Sequence, residues 1–438
     1  MSLESFGRIE RRPRKAIAFQ QADHLLRQGP AGAGALLGFG NGRSYGDSCH
    51  NDRGALVEMR PKGRIRGFDP ASGILDAEAG VLLAEIIAFA APHGFFLPVT
   101  PGTRFVTLGG AIANDVHGKN HHSRGTFGCH VISFELLRSD GMLRSCSPTQ
   151  NPELFAATIG GMGLTGLIVT ARIRLMRVLS LDVEERVTRF AGLDQFFALA
   201  EKADEENEYA VAWIDQLAEG GRAGRGLLLT GNHAADSNFN ASPRPARLSV
   251  PFELPFSALN RPSLKLFNTA YHHLKGRGGE PHLSSYEQFF YPLDSLRGWN
   301  RLYGPAGLYQ HQSVIPYAQA RETIPAMLSA TRRAGQVSFL TVLKRFGTIR
   351  SPGLLSFPQP GYTLTLDFPN RGAKTLELLS ELDRLTIEAE GRVNPYKDQR
   401  MSAATFAASF PQWRRLEEQR DPAFSSNFWQ RTAGILAT

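Results

Sequence analysis

The pattern of apolar and polar positions predicts a mixed chain whose character changes near residue 180. Before that point, short apolar runs alternate with glycine-rich turns, which favours strands joined by tight loops around a helix at 81–91. Beyond it the predicted elements are helices at 192–206, 320–334 and 373–390 and strands at 209–216, 225–231, 308–316, 337–346 and 361–369. The stretch 232–285 has little periodicity and is rich in Asn, Pro, Ser and Gly, so it is predicted to form loops.

Composition limits the class of protein. With 438 residues, of which 42% are hydrophobic and 21% charged, the chain can bury the cores of two domains and is not a disordered protein. Its three cysteines, Cys49, Cys129 and Cys146, form no C-x-x-C pair, which favours a reducing compartment. No apolar run resembles a signal peptide or a transmembrane helix, so a cytoplasmic location is expected.

The charge is basic and uneven. Lys and Arg outnumber Asp and Glu by 49 to 41, and the excess of +8 suits a phosphorylated substrate, a nucleotide, nucleic acid or a membrane surface. Residues 182–219 hold 3 basic and 11 acidic side chains, whereas 221–279 hold 8 basic and 2 acidic ones. Large apolar residues such as Phe252, Phe256 and Leu266 interleave with the basic ones there. This pattern suits peripheral contact with anionic lipid at the inner face of the membrane, and it also suits a solvated flexible loop.

A glycine-rich loop occupies residues 38–47 and contains four glycines in nine positions. Glycine lets backbone N–H groups converge on an anion, although a tight surface turn has the same composition. A formal G-x-G-x-x-G at 161–166 follows a predicted helix and precedes a β-like run. That order is the reverse of the dinucleotide fingerprint, so a nicotinamide site is rejected there.

A second glycine region, 101–122, has the sequence P-G-T-R-F-V-T-L-G-G-A-I-A-N-D-V-H-G-K-N-H-H. Its small residues would let a flat ligand lie against the backbone, and the polar residues that follow would supply donors. Three histidines within six residues raise the question of a metal site. Because Asp115 is the only carboxylate, and Gly118 and Asn120 disfavour the helix that the histidine spacing needs, no metal is predicted.

These glycine regions resemble the vanillyl-alcohol-oxidase/PCMH class of FAD-binding oxidoreductases. Within that class they resemble the decaprenylphosphoryl-β-D-ribose oxidases, the flavin subunits of a 2′-epimerase. The resemblance continues through 343–347, 355–358, 361–369 and 396–400. It covers nearly the whole chain and is weakest over 220–290.

The resemblance implies an α+β fold with three parts. Residues 1–180 would form a PCMH-type FAD-binding domain of two α/β subdomains, which 392–438 would complete. Residues 181–391 would form an inserted substrate-binding domain, an antiparallel sheet flanked by helices. The implied FAD-lining residues are Gly38, Phe39, Gly40, Asn41, Gly42, Arg43, Ser44, Tyr45, Gly46, Asp47, Ser48, Gly102, Thr107, Leu108, Gly109, Gly110, Asn114, Asp115, Val116, His117, Ile168 and Asn394.

The FAD is expected to be non-covalent. Many relatives attach it through a histidine in the first glycine loop, but residues 38–47 contain none and Tyr45 occupies the equivalent stretch. His50 lies just outside that loop.

By the same resemblance, Lys397, Tyr45 and His117 would be catalytic. Lys397 would act as a base if burial lowers its pKa, or would stay charged and orient the substrate. From the residues alone, a solvated surface lysine in a turn would be the favoured interpretation.

Gln312, Lys344 and Thr365 match substrate-pocket positions of the family. Lys344 shares a strand face with Leu340 and Val342, an apolar setting in which a lysine needs a partner such as phosphate. A strand lysine that reaches out to solvent is the alternative.

Two positions depart from the family pattern. Thr365 replaces a reactive cysteine of the mycobacterial enzymes that inhibitors modify and catalysis does not require, so resistance to thiol-directed inhibitors is expected. Thr363 replaces an asparagine, which leaves the identity of the sugar or its carrier open.

The implied activity is FAD-dependent oxidation of the C2′ hydroxyl of a polyprenyl-phosphoryl-β-D-ribose. The 2′-keto product would be the first half of an epimerisation towards an arabinose donor, completed by a short-chain reductase partner. A first alternative is the same chemistry on a soluble alditol, aldonolactone or nucleotide-linked sugar. A second is a non-enzymatic nucleic-acid-binding protein, which the lack of any helix-turn-helix, zinc-finger or RNP-like pattern disfavours.

Overall fold

A computed structural model describes residues 3–28, 34–241, 248–277 and 279–437. The part before residue 180 holds a parallel sheet of order β1-β3-β2, an antiparallel sheet of order β4-β5-β9-β7-β8, and the pair β6-β10. These strands are β1 (Ala16–Ala18), β2 (Leu36–Phe39), β3 (Ala55–Glu58), β4 (Ile65–Asp69), β5 (Ile74–Glu78), β6 (Phe95–Phe96), β7 (Val131–Leu137), β8 (Leu143–Cys146), β9 (Leu167–Arg174) and β10 (Met176–Arg177).

The following part is built on one antiparallel sheet of eight strands, in the order β15-β11-β13-β12-β18-β19-β17-β20, with β14 and β16 as a separate parallel pair. These strands are β11 (Val183–Phe190), β12 (Tyr209–Ile214), β13 (Gly226–His233), β14 (Leu248–Ser249), β15 (His282–Ser284), β16 (Leu296–Arg297), β17 (Leu308–Ile315), β18 (Thr341–Phe346), β19 (Gly361–Pro369) and β20 (Arg392–Val393). The predicted α+β class with an antiparallel sheet is confirmed. The predicted division at 180 and 391 stays a prediction, and the large sheet runs through Val393.

The helices surround these sheets. They are α1 (Phe19–Arg27), α2 (Leu83–Ala90), α3 (Leu108–Ala113), α4 (His121–Arg124), α5 (Pro152–Thr158), α6 (Leu193–Glu206), α7 (Arg261–Lys275), α8 (Tyr286–Phe290), α9 (Tyr317–Arg333), α10 (Ala373–Glu388), α11 (Ala403–Ser409), α12 (Trp413–Gln419), α13 (Asn427–Arg431) and α14 (Ala433–Leu436). Within the described ranges, no helix has both the length and the apolar character that crossing a bilayer requires.

Helix α7 corrects the prediction that 232–285 forms loops. Asn260 caps this 15-residue helix by accepting an N–H from the third helical residue. Leu264 is buried, but Leu266 and Leu274 are 75% and 63% exposed. Apolar residues on both faces hide the helical period, which explains why the pattern favoured loops. Arg244 and Arg247 of the predicted basic stretch lie outside the described residues.

Side-chain alternation divides the large sheet into two faces. On β19, Leu364 and Leu366 pack in an apolar core with helices α6, α9 and α10. Thr363 and Thr365 therefore point to the opposite face. The helix-covered face stabilises the sheet, and the other face is left to line a site.

The C-terminal helices return to the first part of the chain. Trp413, Phe428 and Trp429 share an apolar core with Met162 and Leu164. This packing carries the 394–400 loop back beside the glycine loops.

A chain of ion pairs fastens that loop in place. Arg431 binds Asp47 of the first glycine loop at 2.8 Å and Asp398 at 2.7 Å. Arg400 lies 3.3 Å from the other oxygen of Asp398 and also binds Asp383 of α10. Burial alone would raise the pKa of Asp383, but hydrogen bonds from His311 and Arg400 lower it.

Replacing Arg431 by Gln should therefore lower the free energy of unfolding by about 3 kcal/mol, because it leaves the buried Asp47 carboxylate without its cation and Asp398 with Arg400 alone. Urea denaturation followed by tryptophan fluorescence measures this. Arg384→Gln is the matched control, because Arg384 pairs with Glu381 and Glu388 on an exposed helix face, where water screens the charges and the loss should be much smaller. Equal losses in the two variants would contradict the importance of the Arg431 bridge.

Candidate active site

One cavity of about 760 Å³ lies between the glycine loops and the inner face of the large sheet. Its volume falls within the range of about 300–1,000 Å³ that is usual for small-molecule sites. Its lining includes the two glycine regions, strands β12, β13 and β17 to β19, the loop that carries Lys397, and residues of helix α7 and of the segment 292–299.

The two glycine regions pack too closely for side chains. A Cβ on Gly40 would lie 2.5 Å from Thr107 Oγ1, and one on Gly109 would lie 2.9 Å from Ala79 Cβ. Bare backbone therefore faces the cavity, as a flat ring and a pyrophosphate require. Beside it, Arg43 stacks over Phe105 at 5.5 Å, and its buried Nε has no partner among the described residues. An unsatisfied guanidinium donor suits a phosphate oxygen, so these residues fit the predicted FAD.

Most of the residues predicted to contact FAD line this cavity. They are Gly38, Gly40, Asn41, Gly42, Arg43, Ser44, Tyr45, Ser48, Gly102, Thr107, Gly109, Gly110, Asn114, Val116, His117, Ile168 and Asn394. Their individual roles towards FAD stay predictions.

Five further predicted FAD residues lie behind the cavity wall. Phe39 and Leu108 are buried in apolar cores. Gly46 packs against the Asp398 carbonyl, and Asp47 binds Arg431. Asp115 accepts the Gly128 N–H at 2.8 Å and the hydroxyl groups of two serines. These five are not among the residues that line the cavity, and their predicted contact with FAD stays a prediction.

Gln312 is the centre of a buried hydrogen-bond group. Its Nε2 lies 2.9 Å from Thr363 Oγ1 and 3.1 Å from His117 Nε2, and its Oε1 accepts from Asn394 at 2.9 Å. Burial lowers the pKa of His117 well below its ordinary value, and the charges of Lys344 and Lys397 lower it further. The imidazole is therefore neutral.

Three partly buried lysines, Lys119, Lys344 and Lys397, also line the cavity. Burial lowers the pKa of Lys344 to about 7, and repulsion from the charges of Lys397 and Lys119 contributes to this shift. Burial also lowers the pKa of Lys119 and that of Lys397 to about 8. Lys119 donates to the Phe289 carbonyl, and Lys344 lies 3.4 Å from the Gly118 carbonyl. Within the described part of the chain, none of the three forms an ion pair. The unpaired ammonium groups therefore favour binding of an anion in the cavity.

Tyr45 and Lys397 meet at the wall of the cavity. Lys397 Nζ lies 5.2 Å from the centre of the Tyr45 ring. Burial raises the pKa of the Tyr45 hydroxyl well above its ordinary value, so the phenol stays protonated. Thr365, on β19, faces the same space and pairs in register with Gln312. The structure thus brings together all six residues predicted to act on the substrate.

Asp367 was missed by the sequence analysis. It is fully buried behind Gln310, which donates to its Oδ1 at 2.5 Å. Burial raises the pKa of Asp367 to about 7, an effect that Gln310 and the charge of Lys397 partly offset. A carboxylate that alternates with Thr363 and Thr365 in an otherwise apolar strand was the available signal.

An apolar chamber extends the cavity beneath helix α7. Trp213 lies 5.0 Å from Tyr271, ring centre to ring centre, and Phe267 lies 5.3 Å from Phe339. All four aromatic residues line the cavity together with Leu229. The chamber could not be predicted because α7 itself was not.

The three histidines of the second glycine region point to different partners. His117 contacts Gln312, His121 accepts the Gly347 N–H at 3.2 Å, and His122 lies 2.9 Å from the Asn207 carbonyl. Over the described residues, His, Cys, Asp and Glu form no group of three or more that could hold a metal ion.

Comparison with known proteins identifies an FAD-binding domain and several relatives of this chain. The family model of an FAD binding domain matches residues 32–147. The chain is 36% identical to decaprenylphosphoryl-β-D-ribose oxidase of Mycolicibacterium smegmatis, over 93% of this chain and 91% of that protein. It is 32% identical to an uncharacterized protein in the mprA 5′ region of Streptomyces coelicolor, over 80% of this chain and 98% of that protein. Mouse L-gulonolactone oxidase is 28% identical over 31% of this chain and 30% of its own length.

The first similarity covers 93% of this chain, far more than the region that the FAD-binding family model matches. The cofactor is FAD, as the family resemblance implied, and the protein is an FAD-dependent oxidoreductase. The chain belongs to the decaprenylphosphoryl-β-D-ribose oxidase family of flavoenzymes.

Proposed function

We propose that this protein oxidises the C2′ hydroxyl of a polyprenyl-phosphoryl-β-D-ribose to a ketone. The observation that carries the proposal is the composition of one cavity, which is lined by a glycine cradle, three partly buried lysines without ion-pair partners among the described residues, and an apolar chamber. These surfaces match a flavin, a phosphodiester and a prenyl chain. The similarity to an oxidase of decaprenylphosphoryl ribose supports the same choice.

The lysines account for phosphate recognition. Removing an ammonium group from water without a carboxylate partner destabilises its charged form. The pKa values of the three lysines are lowered for this reason. A phosphodiester bound between Lys344 and Lys119 would restore the charged forms. The substrate anion therefore completes an electrostatic arrangement that the protein leaves unbalanced.

The chemistry requires a hydride and a proton to leave the substrate. The flavin held by the glycine regions would supply the acceptor for the hydride of C2′. Lys397, with a pKa of about 8, has a neutral fraction that can accept the hydroxyl proton. Tyr45 stays protonated and can donate a hydrogen bond to the same oxygen. The product is a 2′-ketone, which a separate nicotinamide-dependent short-chain reductase would reduce to the epimer.

The outer face of α7 suits contact with a membrane. Leu266 and Leu274 lie about two turns apart and are exposed, while Phe267 and Tyr271 of the same helix line the apolar chamber. A lipid surface at α7 would therefore place prenyl chains beside the site. Of the basic residues predicted to contribute, Arg225, Arg261 and Lys275 bind carboxylates of the protein, so apolar contact contributes more than charge.

The role of Lys397 can be tested by its removal. Lys397→Met should slow anaerobic flavin reduction by farnesyl-phosphoryl ribose at least about 100-fold, because the hydroxyl proton loses its acceptor. In the wild type, the rate at saturating substrate should rise about tenfold per pH unit up to about pH 8 and then level off, because only the neutral amine accepts a proton. Lys374→Met, on the exposed face of α10, is the control. A pH-independent rate, or a rapid Lys397→Met variant, would show that Lys397 is not the base.

The apolar chamber should bind the prenyl chain. Phe339→Ser should raise KM for farnesyl-phosphoryl ribose about tenfold or more, because a buried phenylalanine contributes about 1.5–3 kcal/mol. The turnover at saturation should change little. Steady-state kinetics measure both constants, with Phe89→Ser on helix α2 as the control. An unchanged KM would place the prenyl chain elsewhere.

The membrane contact can be tested with vesicles that contain phosphatidylglycerol. The double variant Leu266→Ser, Leu274→Ser should reduce the bound fraction at least about fivefold in a sedimentation assay, because it removes the exposed apolar face of α7. Met142→Ser, Leu143→Ser changes two exposed apolar residues at the β7–β8 hairpin and should bind like the wild type. Equal binding by both double variants would reject α7 as the contact.

A further inference from the structure

We infer that Asn394 is a positioning residue that acts through Gln312 to hold the proton of His117 on Nδ1. His117 then serves the cavity as a neutral hydrogen-bond donor and leaves the role of base to Lys397. The inference deepens the proposed function, because it takes this cavity as the place where the sugar is oxidised.

The backbone fixes the orientation of Asn394. Its side-chain Oδ1 accepts the Tyr396 N–H at 2.9 Å, and a backbone N–H can only donate. The other end of the amide, Nδ2, therefore points to Gln312 Oε1, which it reaches at 2.9 Å. The Asn394 N–H also donates to the Gln312 carbonyl at 2.8 Å, so the two residues are held together twice.

The orientation of Gln312 follows from that of Asn394. Since Oε1 accepts from Asn394, the two hydrogens of Nε2 are directed at Thr363 Oγ1, 2.9 Å away, and at His117 Nε2, 3.1 Å away. A ring nitrogen that accepts a hydrogen bond carries no proton. The proton of the neutral imidazole is therefore on Nδ1.

The surroundings of His117 maintain this state. Phe346 and Phe357 flank the ring at 4.9 and 5.7 Å between ring centres, which limits its rotation. Burial and the charges of Lys344 and Lys397 oppose a second proton. Among the described residues Nδ1 has no protein acceptor, so its N–H is available to a ligand in the cavity. The basic nitrogen is engaged by Gln312 and cannot take the substrate proton.

The tautomer can be read by nitrogen NMR of the holoenzyme labelled with 15N-histidine. The ring-nitrogen signals distinguish a protonated from an unprotonated nitrogen, and loss of signals in His117→Gln assigns them. The wild type should show a protonated Nδ1 and an unprotonated Nε2. Asn394→Asp should move the proton to Nε2, because a carboxylate can only accept, so Gln312 must turn its amide and present Oε1 to His117.

A second variant and a control keep the test independent of any effect of Asn394→Asp on folding. Gln312→Glu also removes the donor to His117 and should produce the same shift of the proton with Asn394 intact. Thr363→Val removes a neighbouring hydroxyl but leaves the Asn394–Gln312–His117 chain, so its tautomer should match the wild type. A wild-type enzyme with a protonated Nε2 would overturn the inference, as would a proton that stays on Nδ1 in both Asn394→Asp and Gln312→Glu. Because this measurement needs no sugar, its failure is distinct from failure of the proposed substrate.

Discussion

The close contact between the first glycine loop and the loop after β20 is the constraint on which the site depends. A Cβ on Gly46 would lie only 1.6 Å from the Asp398 carbonyl oxygen, so the two loops can meet only because this residue is glycine. Arg431 binds carboxylates on both sides of the contact and holds it closed. Tyr45 and Lys397, which precede the two contact residues directly, are thereby brought to one wall of the cavity. The C-terminal helices stabilise the site by packing this loop in place, although only the loop faces the cavity.

The electrostatics of the cavity follow from an excess of lysine side chains over carboxylates that could pair with them. Elsewhere in the protein, buried cations such as Arg400 and Arg431 are paired with carboxylates. The three lysines in the cavity are not paired within the described residues, and burial lowers the pKa of each. The ammonium groups of these three lysines are therefore available to an anionic ligand. The net charge of +8 suggested an anionic partner, and the cavity gives that suggestion a specific place.

Many strands of the large sheet and the main cavity residues could be predicted from the sequence, the strands from local patterns and the cavity residues from family resemblance. Five of the eight strands of the large sheet, β12, β13, β17, β18 and β19, were predicted from runs such as 361–369, because buried antiparallel strands keep a regular alternation. Strands β11, β15 and β20 were not predicted. The cavity residues Tyr45, His117, Gln312, Lys344 and Lys397 were identified by resemblance, since no local pattern shows that residues so far apart in the chain converge. Helix α7 was missed because Leu266 and Leu274 place apolar groups on its exposed face. Asp367 was missed because its importance lies in burial beside Gln310, which only the packed structure defines.

The central claim is that one cavity binds FAD beside the sugar of a lipid-linked phosphodiester. The most direct measurement is an anaerobic titration of the purified wild-type protein, with flavin absorbance followed as candidate substrates are added. Farnesyl-phosphoryl ribose should bleach the flavin, whereas ribosyl phosphate without a prenyl chain and soluble alditols should do so poorly. Bleaching by an alditol or aldonolactone, with none by the lipid-linked ribose, would contradict it.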